Sequence, residues 1–489
     1  MNMTIKRDER RRIYANLIGG ASRAANEERA LDVVCPSDGA PFATIPRSSA
    51  ADVDAAVHAA RAAFEGDWGR LTAIERGRLL MKLGQAIADN ASELAALESR
   101  DTGKPLKQGA ADMVAAARYF EFYGSAADKL HGDTLPFLNG YTAAVFREPH
   151  GVVGHIIPWN YPAQIFGRSV GAALACGNAS VVKPAEDACL SVIRMAELAR
   201  DVGFPDGALN VVTGLGAEAG AALVDHAGVD FYSFTGSPQT GTAIQAAAAR
   251  HHAGCTLELG GKSPQLVFAD ADVEAAAPAI VNAIIQNGGQ TCSAGSRVLI
   301  ERSAYDQFAA IVAERFARVR AGAYDQDLDM GAMINARQRA RVEGYVASAR
   351  ADGVKTLAEG SVDGQAPEGG YYVRPVMFGD APRGHAIVQE EVFGPVLAAL
   401  PFDDDADAIR LANGTSFGLV ASVWTRDAKR SVRVARAMRC GQVFVNAYGA
   451  GGGVELPFGG LKKSGHGREK GFEGLYDFCS TKTIVINHG

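Results

Sequence analysis

The sequence predicts an α/β protein: two α/β domains built on parallel sheets, plus a small β arm. Three observations lead there. The chain has 489 residues, enough for two or three domains of about 150 residues each. Short β-branched or apolar runs alternate with helical segments, the rhythm of a parallel sheet covered by helices on both faces. The segment 481–487 (TKTIVIN) is β-rich and closes the chain, so it needs an edge to pair with; such an arm often completes a sheet on another subunit or domain.

Taken in order, the start MNMTIKRDERRRIY is charged and lacks an apolar stretch, so it does not read as a secretory signal. Its basic run Arg10-Arg11-Arg12 sits beside Asp8 and Glu9 and reads as a solvated chain end. Segments 52–65 and 73–100 are expected to be amphipathic helices, and 109–131 another long helix. Two strand candidates, 142–147 and 151–157, are split by Glu148-Pro149-His150. Val181-Val182 then precedes a helix from about 187 to 201, 209–212 one from about 217 to 226, and 231–234 one from about 238 to 250. A second alternation follows: strand 265–268, helix 272–287, strand 297–301, helix 303–320, helix 335–352, strands near 396–401 and 419–424, and helix 427–438. No internal repeat or low-complexity tract interrupts it.

Composition narrows the class. Apolar residues make up 47% and charged residues 21%, an ordinary globular balance. With 49 basic and 55 acidic residues the net charge is −6, so no global field favours nucleic acid or an anionic membrane. No apolar run is long enough to span a bilayer. The seven cysteines form no CxxC pair and no zinc-like spacing with histidine. That argues against a disulfide framework and against a metal, and the expected location is cytoplasmic.

Five segments carry candidate chemistry. Cys292 lies in QNGGQTCS (286–293), a polar loop after a helical stretch, where it is either an accessible nucleophile or one more structural thiol. Glu258, between two leucines in LELGGKSP (257–264), is either a desolvated general base or a surface residue of an edge strand. Asn160, in IIPWNYP (156–162), either donates its amide to an oxyanion or satisfies its own turn. In VVKPAE (181–186), Lys183 and Glu186 stand at a strand's carboxyl end, where nucleotide ligands bind. In FTGSPQTG (234–241), Gly236 and Ser237 lead into a helix whose N-terminus can hold phosphate oxygens, although the GxGxxG fingerprint is absent.

Together these segments closely resemble the aldehyde dehydrogenase superfamily of the hydrolytic, non-acylating type. PWNYP, KPAE, FTGS, LELGGKSP and GQTCS occur in the family's order, followed by EEVFGPV at 390–396 and PFGGLKKSGHGRE at 457–469, so the similarity spans nearly the whole chain. The resemblance implies a discontinuous, Rossmann-like NAD-binding domain (1–124 and 148–257), a catalytic domain (258–457) and an oligomerisation arm (125–147 and 476–489) of a homodimer or homotetramer. It implies a small-molecule aldehyde as substrate and Cys292 as nucleophile, with the Asn160 amide and the Cys292 N–H as oxyanion donors. Glu258 would activate the water that hydrolyses a thioester.

For the cofactor, the resemblance puts Lys183 and Glu186 on the adenosine ribose, and Gly236 and Ser237 at the pyrophosphate. Ile156 and Trp159 would lie along the cofactor, and Glu391 and Phe393 at the nicotinamide half. A carboxylate at 186 holds ribose hydroxyls and repels a 2′-phosphate, which favours NAD, while the nearby Lys183 keeps NADP in play.

Around the substrate the resemblance places Gln164, Arg168, Thr291, Ser293 and Phe458. Where the family commonly has an aromatic residue followed by Lys, this chain reads Phe166-Gly167-Arg168-Ser169. Arg168 either receives an aldehyde carrying a carboxylate or bridges to Glu455. The opposite wall, Gly449-Ala450-Gly451-Gly452-Gly453, lacks bulky side chains and suggests a roomy or mobile entrance. Glu469 matches a proton-relay position of the family, here without the family's lysine; its alternative is a helix-start ion pair with Lys470 or Arg468.

Three other functions compete. A CoA-acylating relative would need no water base, so Glu258 argues against it. A catalytically silent relative would be expected to lose Cys292, Glu258 or Asn160. A cysteine hydrolase would need a His base near Cys292.

Overall fold

The structure is a computed structural model that describes residues 12–25, 29–449 and 453–489. The run Arg10-Arg11 and residues 450–452 of the glycine-rich wall lie outside the described residues. No helix among the described residues is long and apolar enough to cross a membrane.

The chain folds as the α/β rhythm predicts. One eight-stranded sheet has five parallel strands at its centre, in the spatial order Gly254–Glu258, Phe231–Thr235, Val152–Ile157, Ala179–Pro184 and Leu209–Val211. Short antiparallel strands flank both edges. A seven-stranded sheet forms the second layer system: Lys355–Glu359, Val376–Gly379, Val396–Phe402, Arg297–Glu301, Pro264–Val267, Val420–Trp424 and Gln442–Val445. All its neighbours are parallel except the first pair. The strands Ala179–Pro184, Leu209–Val211 and Phe231–Thr235 are buried along their whole length, as expected for a sheet covered on both faces.

Two separate apolar cores follow from the two sheets. Trp68, Phe120, Tyr123, Phe166 and Val181 belong to the first; Phe268, Ile280, Phe316, Leu397 and Trp424 belong to the second. The third sheet is the arm. Cys479–Asn487 runs antiparallel to Tyr141–Pro149, with Thr483 opposite Val145, and Asp133–Leu135 adds a third strand. The terminal strand therefore finds its edge within its own chain.

Several boundaries differ from the sequence expectation. The helix expected over 73–100 is two, Ala73–Asp89 and Ala91–Thr102, parted at Asn90, which takes φ −102° and ψ 14°. The first starts at Thr72, whose N–H donates to Glu75 (2.8 Å) while its hydroxyl accepts from the Glu75 N–H (3.3 Å), a reciprocal cap. The helix expected to reach 131 ends at Ala126. The helix expected over 217–226 is a wide turn, Gly216–Gly220, leading into the single turn Ala221–Val224. The strands Ala30–Val34, Pro41–Pro46, Val376–Gly379 and Gln442–Val445 were not anticipated; each is short and lacks a clean period of two.

Candidate active site

The first sheet has its topological switch at Val152–Ile157. Later strands add outward on both sides of it, Ala179–Pro184 on one and Phe231–Thr235 on the other. Crevices form where strand order reverses, beyond the carboxyl ends. The register makes this concrete: Ile156 pairs with both Phe234 and Lys183, and Thr235 pairs with Glu258. Trp159-Asn160, Gly236-Ser237, Lys183 and Glu258 therefore leave the sheet at one end.

Two cavities meet there. One, of about 560 Å³, is walled by Trp159, Gly236, Ser237, Glu258, Glu391 and Phe393. The other, of about 530 Å³, is walled by Gln164, Arg168, Thr291, Ser293, Phe458 and Lys470. Asn160 and Cys292 line both, so the thiol stands at the junction. Ile156, Lys183 and Glu186 are not in the wall of the first cavity but lie at the neighbouring strand end, where Lys183 Nζ meets the Glu186 carboxylate at 2.7 Å. Against the upward push of burial, Lys183 holds the Glu186 carboxyl below its usual pKa.

The loop that presents Cys292 is built from its own amides. Helix Val273–Ile285 ends in a tight turn with Asn287, Gly288 and Gly289 at φ 51°, 61° and 74°. A Cβ at Gly289 would lie 2.2 Å from the Gly394 carbonyl oxygen, so both the dihedral and the space demand glycine. Asn287 Nδ2 donates to the Asn160 carbonyl (2.9 Å), and Gln290 Nε2 donates back to the Asn287 carbonyl (3.1 Å). Asn160 Nδ2 in turn donates to the Gln290 carbonyl at 2.9 Å. An amide carries two N–H donors, and this bond uses one. The candidate oxyanion donor is thus fixed on the nucleophile's loop.

Cys292 is half-buried against the cluster of Leu419, Val420 and Phe458, on which Tyr448 also packs. Burial lifts its thiol to about 11, and the Arg168 guanidinium opposes that rise. Glu258 is buried, and neither of its carboxylate oxygens has a hydrogen-bond partner among the described residues. Burial and the nearby Glu469 push its carboxyl well above the usual range.

Arg168 lies in a wide helical turn, Phe166–Val170, and its Nε forms an ion pair with the Glu469 carboxylate. Its Nη2 donates to Thr235 Oγ1 at 3.4 Å, and its guanidinium lies 5.2 Å from the Phe458 ring centre. Two expectations are corrected here. Arg168 does not bridge to Glu455, which instead pairs with Arg118 at 2.7 Å. Glu469 does not pair with Arg468, whose Nη1 donates to the Gly460 (3.2 Å) and Gly467 (2.6 Å) carbonyls, nor with Lys470, whose ammonium stands over Phe458 and Tyr119. Both neighbours point elsewhere, so the buried carboxylate takes the cation that faces it across the fold.

Sequence reasoning missed three supports. Lys104 is buried between Glu98 (3.0 Å) and Asp112 (2.6 Å), and its third donor goes to the Asn160 carbonyl at 3.0 Å. Its signal was readable: Glu98 follows Leu94 and Ala95, and Asp112 adjoins Gly109 and Met113, so both acids sit on buried helix faces. Second, Glu469 Oε1 accepts from Ser233 (3.3 Å), which is hydrogen-bonded to Ser169 (2.8 Å), itself bonded to His155 (2.6 Å). Burial drives the His155 imidazole down to about 3, so it is neutral. Third, the Tyr448 hydroxyl donates to the Ser293 carbonyl beside the thiol.

The first cavity has the parts a dinucleotide needs. Ser237 caps the helix Pro238–Arg250, accepting from the Thr240 N–H at 3.2 Å, and so places a helix N-terminus at the cavity wall. Trp159 and Phe393 meet edge to face at 5.4 Å, a corner for a flat ring. Gln338 Nε2 fixes the Phe393 carbonyl at 2.7 Å, holding a residue at φ 59°. Glu391 accepts from the Gly261 N–H at 2.9 Å, and a Cβ at Gly260 would lie 2.2 Å from the Glu391 carboxylate. Burial lifts the Glu391 carboxyl to about 7.

Comparison with known proteins gives the family. A family model, the aldehyde dehydrogenase family, matches residues 23–484. Human retinal dehydrogenase 2 is 39% identical over 463 residues, covering 94% of this chain and 89% of that protein. A crystal structure from Burkholderia cenocepacia is 60% identical, with a TM-score of 0.97, covering 97% of this chain and 100% of that one. The NAD+ complex of an aldehyde dehydrogenase from Bacillus cereus is 38% identical, with a TM-score of 0.93, covering 97% and 96%.

Proposed function

This chain belongs to the aldehyde dehydrogenase family, and we propose that it oxidises an aldehyde to its carboxylic acid with NAD, through a thioester on Cys292. The observation that carries this reading is the meeting of two cavities at Cys292 and Asn160. One has room for the dinucleotide, the other for the aldehyde.

In this account the Cys292 thiolate attacks the aldehyde carbon from the junction. The Asn160 amide and the Cys292 N–H take the developing oxyanion; one such donor typically lowers the barrier by about 2.7–4 kcal/mol. NAD supplies the redox step by accepting hydride, which leaves an acyl thioester on Cys292. Glu258 then takes a proton from water, which hydrolyses that thioester. Its position in the cofactor-side wall beside Cys292 supports transfer to water rather than to CoA. Ser237 and the helix it caps, with Lys183 and Glu186, would hold the pyrophosphate and adenosine ends, and Trp159, Glu391 and Phe393 the nicotinamide end. The Glu186 carboxylate favours NAD over NADP. Glu469 is held by Arg168, so a relay role for it would require that pair to open.

We further assign residues 1–124 and 148–257 to cofactor binding, 258–457 to catalysis, and 125–147 with 476–489 to self-association. Phe137, Leu138, Val485 and Ile486 on the arm are exposed apolar residues, which supports a homodimer or homotetramer.

The test is NADH formation by the purified protein across short, aromatic, cationic and carboxylated aldehydes, with NAD and with NADP, and with the acid product quantified. Stoichiometric acid that disappears in Cys292→Ala is expected. No oxidation of any aldehyde by folded protein with Cys292 reduced would overturn the reading.

A further inference from the structure

Three charged side chains line the substrate cavity, Asp112, Arg168 and Lys470, and each already has a partner in the protein. Asp112 accepts from Gln164 on one oxygen (2.7 Å) and from Lys104 on the other (2.6 Å). Arg168 is held by Glu469. Lys470, whose backbone takes φ 64° and ψ 164°, is likewise partnered within the chain, and its ammonium also lies over the Phe458 and Tyr119 rings. A charged group on the substrate would enter this cavity without an uncommitted counter-charge, which is costly.

What the wall leaves open is neutral and polar. Six side-chain amides line the cavity: Gln108, Asn160, Gln164, Asn282, Gln286 and Gln442. Gln108 donates to the Tyr161 hydroxyl at 3.2 Å, Asn160 to the Gln290 carbonyl at 2.9 Å and Gln442 to the Pro457 carbonyl at 2.8 Å. Gln164 gives an N–H to Asp112, which fixes the amide and leaves its oxygen as an acceptor. Asn282 and Gln286 make no side-chain hydrogen bond among the described residues. The Gln286 N–H closes the end of helix Val273–Ile285 on the Asn282 carbonyl, so these two amides stand one turn apart in the wall. Another part of the wall is apolar: Val420 and Phe444, from neighbouring strands of the second sheet, with Phe458.

Apolar surface together with amides that both donate and accept suits a carbon chain bearing hydroxyls, since each hydroxyl also donates and accepts. A plain alkyl chain would cover the amides and leave them unpaired. We propose that the substrate class is neutral, hydroxylated aldehydes, with Gln164, Asn282 and Gln286 taking hydroxyls on carbons beyond the reacting one. This rests on the dehydrogenase reading above. It sets aside the carboxylated aldehyde weighed for Arg168, whose charge is met by Glu469.

The test compares kcat/KM with NAD, expressed per free aldehyde, for butanal, erythrose, succinic semialdehyde and trimethylammonioacetaldehyde. It uses wild type, Asn282→Leu with Gln286→Leu, and Asn282→Gln with Gln286→Asn, each first shown to be folded by thermal denaturation. Wild type is expected to prefer erythrose over butanal, and over both charged aldehydes, by about tenfold or more. The Leu pair should lower the erythrose-to-butanal ratio by about tenfold, and the pair that keeps both amides should retain most of it. A wild type that oxidises butanal or either charged aldehyde as well as erythrose, or a Leu pair with an unchanged ratio, overturns the proposal while leaving the dehydrogenase reading intact. No oxidation of any of the four overturns both.

Discussion

The guanidinium of Arg168 and the carboxylate of Glu469 form a buried ion pair beside the candidate nucleophile, with side chains only 9% and 1% exposed. The pair joins the wide turn after Asn160 to the segment preceding the last helix, so two distant parts of the chain fix one wall of the substrate cavity. Breaking such a pair leaves an uncompensated buried charge, at a cost of about 3–5 kcal/mol. We expect Arg168→Met and Glu469→Gln each to lower unfolding stability by that order in urea melts. Arg168→Met with Glu469→Leu should cost less than the sum of the two single changes. Additive losses would show that the pair is not coupled.

Arg168 also opposes the rise of the Cys292 thiol. In the free enzyme the thiol lies near 11, so the thiolate fraction grows with pH across the whole neutral and mildly alkaline range. Iodoacetamide alkylation of Cys292 should still be accelerating above pH 9 in wild type, and its midpoint should move higher in Arg168→Met. A plateau near neutral pH would contradict this account of the site.

Lys104 connects stability to catalysis. Its ammonium neutralises Glu98 and Asp112 and holds the Asn160 carbonyl. Burial alone would lower the Lys104 pKa, but the two carboxylates raise it, so the charge is kept. Lys104→Met leaves two buried acids without their cation and should cost about 3–5 kcal/mol of stability. It should also lower kcat, because Asn160 loses an anchor. Unchanged kcat in a destabilised variant would mean that Lys104 has only a structural part.

Glu258 predicts a pH limb. Burial holds its carboxyl well above the usual range, so the base form is scarce at low pH and accumulates as pH rises. If hydrolysis limits turnover, kcat should climb with pH through that raised value. Glu258→Gln should flatten the limb and cut kcat by roughly 10²–10⁴-fold. Retention of the limb in the Gln variant would assign it to another group.

The proposed role of Glu186 in cofactor choice can be tested. Held below its usual pKa by Lys183, it is a carboxylate at neutral pH and repels a 2′-phosphate. Glu186→Gln should raise kcat/KM with NADP relative to NAD by about tenfold, about 1.4 kcal/mol, in steady-state assays. No change in that ratio would place the discriminating group elsewhere.

Much of this layout was legible before any coordinates. The strand runs before 158, 183 and 236 marked the carboxyl ends that converge, because parallel strands with short polar turns announce themselves by composition. Cys292, Glu258 and Asn160 stood out as polar residues in places that packing does not explain. What stayed hidden depends on pairing across the chain. Arg168 and Glu469 are far apart in sequence, and other partners stood in their place until the fold chose: the equally distant Glu455 for Arg168, and the adjacent Lys470 or Arg468 for Glu469. The His155–Ser169–Ser233 chain was hidden for the same reason: its hydrogen bonds cross between strands and a helical turn. Lys470 was read only as a possible ion-pair partner, because its glycine-like backbone cannot be seen in a sequence.

The most direct test of the central claim is the covalent state of Cys292. Glu258→Gln, mixed with NAD and an aldehyde that wild type oxidises, would be analysed by intact-protein and peptide mass spectrometry. The account predicts an acyl adduct, of the mass of the acid less water, on the peptide carrying Cys292, together with one equivalent of NADH. NADH formed with no adduct, or with the adduct on another residue, would contradict it.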